Sequence, residues 1–156
     1  MSIIPGVDVV AQTLKTLLRR KVTVTQVAAP MPAHTPIVGV YKAGDGALVA
    51  ACLCDVSFAA YSGAAFSLIP GRVAEESIRA GRLDEALEDN YGEVLNVLSR
   101  LFAGHDNQRV TLAQRVFPPA PLSAEVADAD PARGLDVSVD IDGYGEGVLS
   151  LRRLGA

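Results

Sequence analysis

Three polar residues, Asp89, Glu93 and Asn96, have the types and spacing in this sequence that best suit interaction with a partner. They stand at positions i, i+4 and i+7, which a helix of 3.6 residues per turn stacks into one stripe, and Arg100 continues that stripe. Carboxylates, an amide and a guanidinium together offer hydrogen-bond acceptors and donors. The pattern therefore predicts a face that meets either water or a partner, and a solvated helix face is its ordinary explanation.

The element that must carry this stripe is a long amphipathic helix, predicted over residues 83–103. Its opposite side is apolar and should pack on the core. The residues of that side are Leu83, Leu87, Tyr91, Val94, Leu95, Leu98, Leu101 and Phe102. Asn96 and the mid-helix Gly92 are poor helix formers, and Gly92 alone costs about 1 kcal/mol relative to alanine. We therefore expect a compensating contact, such as close approach of another surface beside Glu93 and Asn96.

The rest of the chain alternates between helical and strand patterns. Helices are predicted from Pro5 or Asp8, from Asp55 or Ser57 through about Leu68, and in a short segment ending at Ala80. Strands are predicted over 22–27, 37–42, 47–54, 110–117, 135–141 and 147–154, with turns at 44–46 and 142–143. Residues 30–36 and 118–134 are predicted to be loops. The expected fold class is α+β, with three hairpin-like strands early, helices in the middle and three strands late.

Length and composition limit the class of protein. At 156 residues the chain has the size of one domain, and we predict a single domain over 1–156. A net charge of −4 without a basic stripe argues against nucleic acid, because neutralising phosphates needs clustered lysine and arginine. The apolar, uncharged run 56–71 has 16 residues, too few for a membrane span, and the first residues lack the pattern of a signal peptide. We therefore expect a cytoplasmic protein.

Cysteine and histidine offer no metal or catalytic pattern. Cys52 and Cys54 are too close for an ordinary structural disulfide, and no second Cys or His pair accompanies them. Both are predicted to be reduced, buried residues of the core. His34 and His105 have no catalytic partner nearby in the sequence and are predicted to lie at the surface.

One acidic segment imitates the start of a calcium-binding loop. Its residues are Asp136, Ser138, Asp140, Asp142 and Gly143. Leu149 stands where an EF-hand loop needs its last glutamate ligand. The strict alternation of these acids with apolar residues favours an ordinary strand with its acids turned outward.

The residues of the polar stripe also follow a known motif. Asp89-x-x-x-Glu93-x-x-Asn96, followed after 22 residues by Pro119, resembles the signature of the CheC/CheX-type chemotaxis phosphatases. Gly92-Glu93-x-x-Asn96 is similar to the Gly-Glu-x-x-Asn core of that family. The resemblance implies a CheC/CheX-like antiparallel sheet with long helices packed on it.

The resemblance further implies a reaction on a second protein. In the family, the motif helix docks against a CheY-type receiver domain, and the aspartyl phosphate of the receiver is hydrolysed. This reaction belongs to chemotaxis or two-component signalling. Asn96 would then position the attacking water and Glu93 would pair with a lysine of the receiver. Asp89, Gly92 and Arg100 would belong to the partner-binding surface. The receiver supplies the Mg²⁺, so the protein would need no cofactor of its own, and an amide suffices because this hydrolysis needs orientation more than a strong base.

The sequence departs from the family pattern in two ways. It carries one Glu-x-x-Asn motif, which is more similar to the CheX type and implies a homodimer, with edge-strand pairing as the expected mode. Leu95, Leu101 and Phe102 are bulky where small residues are frequent in the family. The alternative is therefore a non-catalytic protein-interaction module of the same fold, because fold does not establish function.

Overall fold

Five helices and six strands make up the part of the chain that the computed structural model describes, residues 4–28, 36–103, 109–118 and 120–155. Helices α1 to α5 are Val7–Leu18, Val56–Phe66, Gly71–Ala80, Glu85–Leu98 and Ala124–Ala127. Strands β1 to β6 are Val22–Gln26, Ile37–Ala43, Leu48–Cys54, Val110–Val116, Gly134–Ile141 and Gly145–Arg153. Two 3₁₀ turns are Ser99–Phe102 and Pro131–Arg133. The predictions for Pro119, His34 and His105 lie outside the described residues.

The six strands form one antiparallel sheet in the order β1-β5-β6-β3-β2-β4. The two predicted hairpins, β2–β3 and β5–β6, are confirmed. The turns contain Gly46 and Gly143, whose φ values of 88° and 83° favour glycine. The prediction that three early strands form hairpins is wrong for β1, because β1 pairs with β5 near the other end of the chain. Alternation within a strand predicts which face is buried, but it carries no information about a distant partner.

The main core lies between one face of the sheet and helices α1, α2 and α4, with α3 packed on α2. Tyr41, Cys52 and Val137 point from the sheet into this core because they occupy the inward positions of their strands. A smaller cluster lies on the opposite face, where Val126 of α5 covers Val38 and Leu53. Residues 118–134, predicted as loop, therefore include a short helix that seals part of this second face.

The helix that carries the polar stripe is shorter than the predicted 83–103. It begins after Asp84, whose carboxylate accepts a 2.8 Å hydrogen bond from Leu87 N. It ends at Leu98, because the N–H of Ser99 donates to the oxygens of Asn96 and Val97 and so tightens the chain into a 3₁₀ turn. Ser99 Oγ also donates to Asn96 O at 2.7 Å. The last part of the predicted helix is therefore continuous with α4 but wound more tightly.

Within the described ranges, none of the helices combines the length and the hydropathy that crossing a bilayer would require.

Candidate functional site: the exposed face of α4

The predicted stripe is confirmed as a surface. Asp89, Glu93 and Asn96 are exposed along α4, and Arg100 is exposed in the 3₁₀ turn that follows. An open row of two carboxylates, an amide and a guanidinium can bind and orient groups presented by another molecule.

Contacts with α2 fix one side of α4. Asn90 Nδ2 donates a 3.0 Å hydrogen bond to the carbonyl oxygen of Gly63. A methyl group on Gly63 would lie 3.3 Å from Leu87 O and 3.5 Å from Tyr91 N, so the missing side chain lets the two helix backbones approach closely. The T-shaped contact between Phe58 and Tyr91, with ring centroids 6.0 Å apart, joins the same two helices.

The underside of α4 is fixed to the sheet by polar contacts within the core. Tyr41 Oη donates a 2.6 Å hydrogen bond to Leu95 O. Cys54 Sγ donates a 3.1 Å hydrogen bond to Tyr91 Oη. Burial raises the pKa of both tyrosines well above the ordinary 10.0, so both hydroxyls stay protonated. Leu95 itself occupies the space that Gly39 leaves open, since a methyl group there would lie 2.7 Å from Leu95 Cδ2. These contacts set the height and rotation of the helix that carries Asn96.

The bulky residues of the motif region do not face a partner. Leu95 and Phe102 have no exposed surface and Leu101 is 4% exposed. They point into the core between α4 and the sheet. The prediction that these three side chains pack on the core is confirmed, and their bulk does not obstruct the exposed face of α4.

Gly92 requires a correction. It is buried rather than part of the open surface, and the guanidinium of Arg115 lies over it. A methyl group at this position would overlap Arg115 Nη1 and would lie 2.8 Å from Cζ. The close approach expected beside Glu93 and Asn96 is thus made by a side chain of the same chain, and a partner at this point would meet Arg115.

Arg115 is the residue of this surface that sequence reasoning missed. Its strand position indicates only that it stands on edge strand β4. The one available signal was the costly glycine in the middle of a helix, which indicates that something must lie close to it but not what. Finding Arg115 needs the register of β4 on β2, which pairs it with Gly39.

A shallow groove of about 520 Å³ runs beside the stripe, between α1 and the end of α4. Leu17, Phe66 and Val97 give it an apolar floor, and Arg19 and Arg100 stand among its lining residues. Arg100 therefore belongs both to the stripe and to this groove, which extends the continuous exposed surface from Glu93 toward α1.

The other candidate residues have structural roles. Cys52 and Cys54 are free and buried, as predicted, and burial raises the pKa of Cys52 to about 12. Asp136 accepts hydrogen bonds from Ser150 Oγ at 2.5 Å and from Arg152 Nη2 at 2.8 Å, so the imitated calcium loop is an ordinary strand. Across the described residues, no cluster of three histidine, cysteine or acidic side chains is arranged to hold a metal ion.

Several solved structures share the fold class of this chain. No family model and no curated protein matches the chain. A chain of the FliM–SpeE complex from H. pylori is similar with a TM-score of 0.62 and 10% identity, over 94% of this chain and 83% of that one. Thermotoga maritima FliY has a TM-score of 0.62 and 16% identity, over 91% and 80%. A chain of the H. pylori FliG–FliM complex has a TM-score of 0.52 and 10% identity, over 95% and 86%.

These similarities confirm the expected α+β architecture. The chain has the CheC-like fold that FliM and FliY share, an antiparallel sheet with helices packed on it. At such low sequence identity the likeness shows the fold alone, and fold does not establish activity.

Proposed function

We propose that this protein is a CheC/CheX-type phosphatase that hydrolyses the aspartyl phosphate of a CheY-like receiver domain in chemotaxis or two-component signalling, in the cytoplasm. The observation that carries the proposal is the joint exposure of Asp89, Glu93 and Asn96 on one face of α4. The motif residues are free to meet a partner, and the bulky residues of the motif region are turned into the core.

The chemistry of the stripe suits a reaction on a second protein. Asn96 would orient a water molecule in line with the phosphorus atom, and Glu93 would pair with a lysine of the receiver. Orientation of reactants can supply a large part of a barrier reduction, and a loose phosphoryl-transfer transition state asks little of a general base. The Mg²⁺ that neutralises the phosphate would belong to the receiver, and this protein would need no cofactor of its own.

The rigid seating of α4 supports the same proposal. An amide that aims a water molecule must be held within a fraction of an ångström, which requires a helix fixed on more than one side. Here α4 is joined to α2 through Asn90 and to the sheet through Tyr41 and Tyr91.

A second candidate is a non-catalytic interaction module. Solved structures of this fold include a FliM–SpeE complex and a FliG–FliM complex, in which the fold is part of a protein assembly. The exposed stripe and the adjoining groove would then form a docking surface without turnover.

The decisive experiment is phosphate release from phosphorylated receiver domains with Mg²⁺, with and without the protein. Asn96→Ala and Glu93→Ala should each lower the acceleration about a hundredfold if they orient the reactants. Glu75→Ala, which removes an exposed carboxylate from α3, is the matched control and should leave the rate unchanged. The free energy of unfolding of Asn96→Ala should stay within about 0.5 kcal/mol of wild type, since its side chain is exposed.

The outcomes separate the two candidates. Acceleration that is lost in both variants supports the phosphatase. Receiver binding without acceleration, weakened by Glu93→Ala, supports the interaction module and rejects the phosphatase. An Asn96→Ala protein that fails to fold would reject the placement of Asn96 as a surface residue.

We also propose that the protein is a homodimer paired through an edge strand. The sheet ends at β1 and β4, whose outer backbone groups are the places where a second sheet could add. Pairing along β1 would leave the α4 stripe open to the receiver. A mass by light scattering equal to that of one chain at micromolar concentration would reject the dimer.

A further inference from the structure

Arg115 lies on the same side of the sheet as the motif helix. It stands opposite Gly39 in the register of β4 on β2, and residues opposite each other share a face of the sheet. Gly39 faces Leu95 of α4, so the Arg115 side chain also projects toward α4. There its guanidinium lies beside Gly92, within contact distance of the point where a side chain of residue 92 would begin.

This position is one helical turn from the water-positioning amide. On α4, Glu88 and Asn96 are the i−4 and i+4 neighbours of Gly92, and such neighbours have Cβ atoms about 5–6 Å apart. Glu93 is adjacent on the exposed side. Arg115 is exposed, and among the described residues its guanidinium forms neither a hydrogen bond nor an ion pair. The described residues therefore leave its N–H donors open to a ligand presented at the stripe.

We propose that Arg115 is a catalytic residue of the phosphatase reaction, which binds the non-bridging oxygens of the receiver's aspartyl phosphate while Asn96 orients the water. This inference rests on the proposed function. In the step, the water oxygen forms a bond to phosphorus, and the bond from phosphorus to the aspartate carboxyl oxygen breaks. The bonding electron pair leaves on the carboxylate. One water proton stays on the oxygen that joins phosphorus, and the other passes to another oxygen of the inorganic phosphate or to solvent.

The chemistry of arginine suits this position. A guanidinium presents a planar fork of donors that matches phosphate oxygens, and it offsets the charge that spreads over them in a loose transition state. The inference also gives a reason for Gly92. Any side chain there would push the guanidinium away from the helix, so the glycine keeps it against α4, one turn from Asn96, at a cost in helix propensity.

A purely structural role for Arg115 is the competing explanation. The exposed side of α4 is acidic, with Glu85, Asp89 and Glu93 exposed and Glu88 partly exposed, and a nearby arginine would offset their repulsion. That role requires one positive charge near the helix and does not require a fork of donors. The two explanations therefore differ in what lysine at position 115 should do.

The test measures kcat and KM for a phosphorylated receiver domain with wild type, Arg115→Ala, Arg115→Lys, Asn96→Ala and the charge-matched control Arg72→Ala on α3. Receiver affinity is measured separately, with the receiver locked in its phosphorylated form by beryllofluoride. We expect Arg115→Ala to lower kcat about a thousandfold, the lower end of the range for arginines that stabilise phosphoryl transfer. Lysine should restore only a small part of the rate, and Arg72→Ala should behave as wild type.

Each outcome either supports or overturns the catalytic role of Arg115. A fall in kcat that is much larger than the fall in affinity, with weak rescue by lysine, supports the inference. Wild-type kcat in a folded Arg115→Ala protein, or full rescue by lysine, overturns it, and the phosphatase proposal stands if Asn96→Ala is inactive. No acceleration by wild type on any receiver overturns the proposed function itself, and a catalytic role for Arg115 with it.

Discussion

Tyr41 Oη lies 2.6 Å from the carbonyl oxygen of Leu95, the residue immediately before Asn96. This hydrogen bond crosses from β2 to the last turn of α4, where the helix begins to tighten into a 3₁₀ turn. The Ser99 N–H, which an unbroken α-helix would direct to Leu95 O, goes instead to Asn96 and Val97. The tyrosine hydroxyl therefore satisfies a carbonyl at the point where the site helix changes its winding.

Removing that hydroxyl should weaken both the fold and the site. Tyr41→Phe keeps the ring and its 5.0 Å centroid contact with Phe102 but deprives a buried carbonyl of its side-chain donor. We expect the free energy of unfolding to fall by about 1–3 kcal/mol, measured by urea denaturation. Tyr61→Phe, on the half-buried face of α2, is the control and should cost less. An unchanged stability in Tyr41→Phe would mean that Leu95 O has another donor.

Gly92→Ala should separate stability from activity. Alanine favours the helix by about 1 kcal/mol, and the group it displaces is the flexible end of Arg115, which can move into solvent. We therefore expect thermal stability to hold or rise while phosphate release from the receiver falls. Gly63→Ala is the contrasting variant, because its new methyl group would press on the α4 backbone at Leu87 O. A Gly92→Ala protein with full activity would argue that the position of Arg115 is unimportant.

Breaking the ion pair between Arg152 and Asp136, on the second face of the sheet, should strongly destabilise the fold. The two side chains are 7% and 12% exposed and lie 2.8 Å apart, with Ser150 as a further donor to Asp136. Asp136→Ala leaves a buried guanidinium without its partner, so we expect a loss of about 3–5 kcal/mol in the free energy of unfolding. Asp140→Ala, exposed on the same strand, should change it by no more than about 0.5 kcal/mol. Equal losses in the two variants would contradict the stabilising role given to the pairing of Asp136 with Arg152.

Asp55 should give the fold a measurable pH dependence. Burial raises the pKa of this carboxyl above its ordinary 3.8, although hydrogen bonds from Phe58 N and Val148 N offset part of the rise. A group whose pKa is raised by folding binds protons more readily in the folded state. Its contribution to stability is fully present below 3.8 and is lost as the pH rises through the folded pKa.

Asp55→Asn removes this titration and keeps a side chain that can cap α2. The advantage in stability of wild type over the variant should therefore be largest at acidic pH and should shrink as the pH is raised toward neutrality. Urea denaturation of both proteins across this interval measures it, with Asp140→Asn as an exposed control. A difference that grows as the pH rises would show that the pKa of Asp55 is lowered instead.

The sequence predicts elements and faces of this fold well and distant relationships poorly. The stripe of Asp89, Glu93 and Asn96 follows from helical periodicity, and the burial of Cys52 and Cys54 follows from strand alternation. The pairing of β1 with β5 and the contact of Arg115 with Gly92 do not, because each joins segments far apart in the chain. Local patterns limit which surfaces exist, and only tertiary packing decides which side chains share them.

The sulfur–hydroxyl contact beneath α4 makes one thiol a reporter of helix docking. Cys54 has no exposed surface and meets Tyr91 of α4, while Cys52 lies two residues along the same strand. Burial raises the pKa of Cys52 to about 12 and that of Cys54 well above its ordinary 9.0, so neither thiol reacts while the helix is seated. Alkylation of these cysteines therefore requires α4 to lift from the sheet or the protein to unfold. A partner that holds α4 in place will slow the alkylation. The decrease in rate then reports how strongly the partner stabilises the docked helix, without any probe added to the chain.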